Sequence, residues 1–138
     1  MPTKDEERRK YKGIYNRFMM QPAKISTTGF VRLYVLYMLT EKKDEMYGLE
    51  MIEQIKKDFA HVSRWKPNSS VMYPILKRLS NQGYLAYYKE DPTTNSRKYY
   101  KITRAGKQYY REQKDKYQPI FNEAISMLEL AIDEIYGG

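Results

Sequence analysis

Apolar positions along this chain change period several times, and each change marks an element. Tyr11, Ile14, Tyr15, Phe18 and Met19 fall on one face of a helical repeat. Thr3 and Glu6 precede them at capping-box spacing, acids come before bases, and Gln21-Pro22 follows. A helix over 4–20 is predicted, with an apolar face that needs a partner. Thr28 caps a second helix over about 29–41, apolar on the side carrying Phe30, Leu33, Tyr34, Tyr37 and Met38. Beyond a polar turn, Met51, Ile52, Ile55 and Phe59 form the inward stripe of a third helix over about 46–59. Gly48 there permits close approach by another backbone, and Tyr47 is expected to lie beside it.

The stretch from Arg64 to Leu79 is the most informative. Pro67 stops backward extension, and Asn68 or Ser69 can cap a helix that ends at Gly83, a residue suited to the position after a helix. Met72, Ile75, Leu76 and Leu79 form its inward stripe. Ser69, Tyr73, Lys77 and Ser80 recur on another face. Pro74 lies inside this helix, where it removes a backbone hydrogen bond, and propensity does not account for it. Trp65, just ahead, is expected to plug the core beneath.

Residues 84–89 and 97–103 are tyrosine-rich and β-prone, and they flank the turn run Asp91-Pro92-Thr93-Thr94-Asn95-Ser96. That predicts a hairpin with one of Tyr99 and Tyr100 facing inward. Thr103 then caps a last helix reaching about Tyr136, roughly 50 Å long at 1.5 Å per residue. Pro119 implies a kink or a fresh helix start. The element order describes a mainly α protein with a small β-hairpin wing. It is a winged helix-turn-helix with an N-terminal helix and a long C-terminal dimerisation helix. The expected divisions are 1–25, 26–103 and 104–138.

Composition sharpens this reading. The chain has 138 residues and no cysteine, so neither disulfides nor zinc–thiolate sites are expected. No apolar run approaches the ~18 residues of a membrane span, and the charged N-terminus is unlike a signal peptide. A soluble, cytoplasmic protein is expected. The net charge is +8, and it is concentrated. From Phe59 to Arg111 there are eleven basic and two acidic residues, a net of +9, while the remainder nets −1. A localised basic face is what phosphate neutralisation requires. Double-stranded DNA is the expected partner.

Base edges are usually met by the first half of a recognition helix. Here that half carries Asn68, Ser69, Ser70 and Tyr73, with hydroxyls and an amide able to read donors and acceptors. Lys66, Lys77 and Arg78 would neutralise backbone charge. Asn95, Arg97 and Lys98 belong to the wing, where Arg suits a minor groove. Capping explains a serine equally well, and edge protection explains a charged hairpin.

On the last helix Tyr117, Phe121, Ala124, Leu128, Ala131 and Ile135 are spaced 4-3-4-3-4, a heptad seam. From Glu112 onward the net charge is −4, so this end suits a second copy better than DNA. The face of Tyr11, Ile14, Tyr15 and Phe18 would pack on the same interface. One histidine, no cysteine and no glycine-rich phosphate loop argue against an enzyme. No catalytic residue, metal or cofactor is expected. A protein-interaction adaptor and a nonspecific architectural DNA binder remain as alternatives.

Several of these stretches resemble the PadR family of bacterial winged-helix transcriptional regulators. They are Leu-Tyr-Met-Leu-Thr-Glu at 36–41, Tyr-Gly-Leu-Glu-Met-Ile at 47–52, Trp65 through Leu79 with Tyr73-Pro74, Gly83-Tyr84-Leu85, and Arg97 through Thr103 with Gly106. The resemblance covers roughly 27–107 and accounts for Pro74. It implies a homodimeric repressor on an inverted-repeat operator, often released by a small molecule. Some members hold flat aromatic effectors with aromatics of the last helix. Tyr110, Tyr117 and Phe121 are the corresponding candidates, although this helix carries no tryptophan.

Overall fold

The computed structural model describes residues 3, 18–20, 24–94 and 96–137. Tyr11, Ile14, Tyr15 and Asn95 lie outside the described residues. Strand β1 (Phe18–Met20) pairs antiparallel with β2 (Ile25–Ser26). Phe18–Met20 are therefore extended, against the helix expected through residue 20, because their backbone groups pair with β2.

Helix α1 (Thr27–Tyr37) passes into a π-helical turn, Met38–Lys42. Strand β3 (Glu45–Tyr47) leads into α2 (Gly48–Phe59). Helix α3 (Ser69–Asn81) is followed by the hairpin strands β4 (Leu85–Lys89) and β5 (Lys98–Ile102). Helix α4 (Arg104–Tyr136) is continuous through Pro119. The sequence reading placed residues 46–47 at the start of the third helix. They instead pair with β5, Met46 opposite Tyr100 and Tyr47 opposite Tyr99, giving a sheet of order β3-β5-β4.

Two compact units divide the chain. Residues 31–113 form one, and the described residues within 1–30 and 114–138 form the other. In the first, Val31, Val35, Leu36, Met38 and Leu39 meet Met51, Ile52 and Ile55 of α2 and the stripe Met72, Ile75, Leu76 and Leu79 of α3 in a buried core. Leu85 and Tyr100 add the sheet's inner face. The inward face of α1 is thus the one carrying Val31, Val35 and Leu36. Phe30, Leu33, Tyr34 and Tyr37 are only half-buried. Tyr34 donates to Asp58 Oδ2 at 2.6 Å, and Gln54 Nε2 holds the other carboxylate oxygen at 2.7 Å. Trp65 is half-buried, and Pro67 is the residue of that loop that reaches the core.

Gly83 sits at φ +82°, a conformation glycine adopts without the steric penalty of a Cβ. The amide of Tyr84 bonds back to Leu79 O, closing the helix end. Thr103 Oγ1 accepts from Gly106 N at 3.0 Å and donates to Gly83 O at 2.6 Å. One hydroxyl therefore caps α4 and ties it to the end of α3.

In the other unit, the Tyr117 and Ser26 hydroxyls both lie against Gly29. Phe121 meets Phe30 with centroids 6.1 Å apart. Tyr117 and Ala124 are buried, whereas Leu128, Ala131 and Ile135 are exposed. Among the described residues no helix is long and apolar enough to cross a membrane.

Candidate nucleic-acid interface

Helix α3 presents its expected outer face except at Ser80, whose hydroxyl oxygen is buried. Ser69, Ser70, Tyr73, Pro74, Lys77, Arg78 and Asn81 are exposed, because Met72, Ile75, Leu76 and Leu79 anchor the opposite side. Asn68 is the cap. Its Oδ1 accepts from Val71 N at 3.0 Å and from Ser70 Oγ at 2.6 Å. The cap also engages Ser70, leaving Ser69 and Tyr73 as the polar groups facing outward from the first two turns.

Around this face the cations divide. Lys77 and Arg78 make no ion pair among the described residues, whereas Lys66 lies 3.5 Å from Glu53. Lys98 lies over the Tyr87 ring, 4.6 Å from its centroid. Arg97 lies over Tyr47 at 4.3 Å. Hydrogen bonding to Tyr99, reinforced by Tyr47, raises the Arg97 pKa further, so its charge is permanent. The wing turn is set by Asp91. Its Oδ1 accepts from Thr93 N at 3.0 Å and from the Thr93 hydroxyl at 2.7 Å, which lowers the carboxyl pKa. Ser96 Oγ closes the turn by accepting from Asp91 N at 2.7 Å.

Two clefts join the helix to the wing. One of about 510 Å³ lies between Tyr47, Gly48, Tyr73, Arg97, Lys98 and Tyr100. Another of about 310 Å³ is lined by Tyr73, Lys77, Asn81, Tyr87 and Lys98. Tyr73 borders both. The structure thus brings Tyr73, Lys77, Arg97 and Lys98 to one recessed, basic, tyrosine-rich surface. Asn68, Ser69 and Ser70 lie at the start of α3, and Lys66 lies just ahead of it.

Tyr47, Tyr87 and Asn81 join this surface without having been named from the sequence as contacts. The alternation of the hairpin tyrosines could have flagged Tyr87. Tyr47 could not be placed until β3 was known. Sequence reading expected Gly48 to admit a backbone, but what lies against it is the Tyr73 side chain.

The aromatics proposed for an effector fall in different units. Tyr110 is buried in the winged-helix unit, and its hydroxyl donates to Glu41. Burial, helped by that hydrogen bond, holds the phenol well above the usual tyrosine range. Tyr117 and Phe121 belong to the other unit and pack on Gly29 and Phe30.

A comparison with curated proteins finds no match. Solved structures supply several. A PadR family transcriptional regulator from Eggerthella lenta is 25% identical with a TM-score of 0.58, covering 73% of this chain and 83% of that one. A transcriptional regulator from Clostridium thermocellum shares the fold at 23% identity and TM-score 0.56, covering 78% and 91%. Bacillus subtilis PadR, solved in complex with operator DNA, is 25% identical with a TM-score of 0.50, covering 60% of this chain and 46% of that one. Residues 35–112 match the model of the transcriptional regulator PadR-like family. That span holds the π turn, β3, α2, α3, the wing and the start of α4, and the chain belongs to this family of transcriptional regulators.

Proposed function

We propose that the protein is a homodimeric, sequence-specific repressor that binds an inverted-repeat operator. Residues 26–103 act as the DNA-binding domain, and 104–138 provide the dimer contacts together with the N-terminal segment 1–25. A cytoplasmic location goes with that role. The observation that carries the reading is the placement of Tyr73, Lys77, Arg97 and Lys98 around the clefts between α3 and the wing. Ser69 and Tyr73 would meet base edges. Lys77, Arg78 and Lys98 would neutralise phosphates, and the wing with Arg97 and Asn95 would lie along the backbone or dip into the minor groove. Asn68 and Ser70 hold the start of the helix, and Lys66 adds charge beside it. The operator-bound Bacillus subtilis relative supports DNA as the partner.

Dimerisation would use Leu128, Ala131 and Ile135, the exposed part of the seam. Tyr117, Phe121 and Ala124 would support that helix from within. A small aromatic effector would act on the last helix near Tyr117 and Phe121, with Tyr110 further back along it.

Selection of bound duplexes from a random DNA pool at near-physiological salt tests the reading. Enrichment of an inverted repeat with half-site centres about one or two helical turns apart is expected. Retention without a motif would indicate architectural binding. No retention in the presence or absence of small aromatic acids would favour the adaptor.

A further inference from the structure

We infer that Gly48 is a specificity-determining position, because its missing side chain lets the Tyr73 ring lie against the first turn of α2; the inference rests on the DNA-binding reading. A Cβ built at Gly48 would meet Tyr73 Cε1 at 2.6 Å, Cζ at 3.0 Å and the hydroxyl oxygen at 3.1 Å. Non-bonded carbons settle at about 3.5–4.0 Å. The ring and a side chain at position 48 therefore exclude each other.

Nothing in the backbone asks for glycine here. The only positive φ among the described glycines is at Gly83. Gly48 opens α2, where alanine has the better intrinsic propensity. The residue is buried, so the space it leaves is a seat, and the side chain in that seat belongs to α3. An exposed tyrosine on a helix ordinarily samples several rotamers. Tyr73 is 46% exposed, with its Cε1, Cζ and hydroxyl edge against Gly48 of α2. Tyr73 and Gly48 both line the cleft that Arg97 and Lys98 border.

Holding the ring in one position before DNA arrives removes an ordering cost on binding. It also fixes where the hydroxyl and ring edge meet a base pair. A tyrosine free to swivel can find some partner on any sequence, whereas a seated one tells sequences apart. Gly48 acts through Tyr73 and touches no DNA itself, so it is a positioning residue.

The test compares Gly48→Ala, Tyr73→Ala and the double variant, each titrated against the selected operator and a scrambled duplex at several salt concentrations. Gly48→Ala is expected to cut the operator-to-scrambled affinity ratio about tenfold, within the range of one lost base contact. Its affinity for scrambled DNA and its salt slope should stay at wild-type values. Adding Gly48→Ala to Tyr73→Ala should change the ratio no further, since the ring is already gone. The double variant also removes the collision, so it reports even if Gly48→Ala alone folds poorly.

A wild-type ratio in Gly48→Ala would overturn the inference. So would equal loss on both duplexes, or a double variant whose loss is the product of the two single losses. A wild-type protein that does not distinguish the two duplexes would sink the DNA reading along with it.

Discussion

The guanidinium carbon of Arg97 rests 4.3 Å from the centroid of the Tyr47 ring, on the strand that pairs with β5. A cation on an exposed aromatic face gains only about 0.5–1 kcal/mol, so the arginine is held in readiness without being locked. A phosphate or a narrow minor groove competes easily with that contact. Arg97→Ala is therefore expected to weaken binding to every duplex by a similar factor. The slope of log affinity against log salt should fall by about 1, the value of one lost phosphate contact. A slope equal to wild type would take Arg97 off the backbone.

Asn68 separates capping from reading. Its carboxamide oxygen already accepts from Val71 N and Ser70 Oγ. Asn68→Ala should cost about 1 kcal/mol in urea unfolding, the usual value of a lost cap. Asn68→Ser keeps a cap and should recover most of that stability. If Asn68→Ser also keeps operator affinity, the residue serves the helix start. Intact stability with a lost base preference would make it a reader.

Much of this surface was legible in the sequence, and the reasons are local. Helix α3 announces itself through Pro67, Asn68, a four-residue stripe at helical spacing and Gly83, all within twenty residues. The hairpin is equally local, because its turn run and both strands are contiguous. Strand β3 was not legible. It has three residues, and its partner Tyr99–Lys101 lies over fifty positions away, so no periodicity marks it. The contact of Gly48 with Tyr73 was hidden too, because it joins two separate helices through a side chain. The π turn at Met38–Lys42 carries no composition signal, and Trp65 yielded its expected core position to Pro67, two residues on.

Two tyrosine–carboxylate pairs tie the winged-helix unit together, Tyr34 with Asp58 and Tyr110 with Glu41. Burial first, then these hydrogen bonds, raise both phenol pKa values. In the unfolded chain these tyrosines ionise near the ordinary value of about 10. The unfolded state thus releases its protons first as pH rises. The stability these groups contribute is complete below about pH 10 and is lost above it. Urea midpoints should fall progressively as pH rises above about 10. Tyr34→Phe with Tyr110→Phe should lower stability at neutral pH by about 1–2 kcal/mol per site. The double variant should also show a shallower alkaline decline, though not a flat one, because burial holds Tyr100 up as well. An unchanged decline would show that other groups govern it.

The seam on α4 is half satisfied within the chain. Tyr117 and Ala124 are buried, while Leu128 is 51% and Ile135 is 68% exposed. In the proposed dimer those two, with Ala131, would meet a second copy. Burying a leucine of this kind contributes roughly 1.5–3 kcal/mol, and each copy in a symmetric pair contributes one. A glutamate at 128 would place two carboxylates in the same apolar seam. Leu128→Glu should therefore give a monomer by light scattering at micromolar concentration. The far-ultraviolet spectrum and the unfolding of the winged-helix unit should be retained, since Leu128 lies outside that unit's core. Affinity for an inverted repeat should drop much more than affinity for a single half-site, because two half-sites reinforce each other only when the copies are joined. A variant that stays dimeric would place the seam elsewhere. A monomer that keeps its full inverted-repeat affinity would mean that DNA binding does not depend on pairing through this helix.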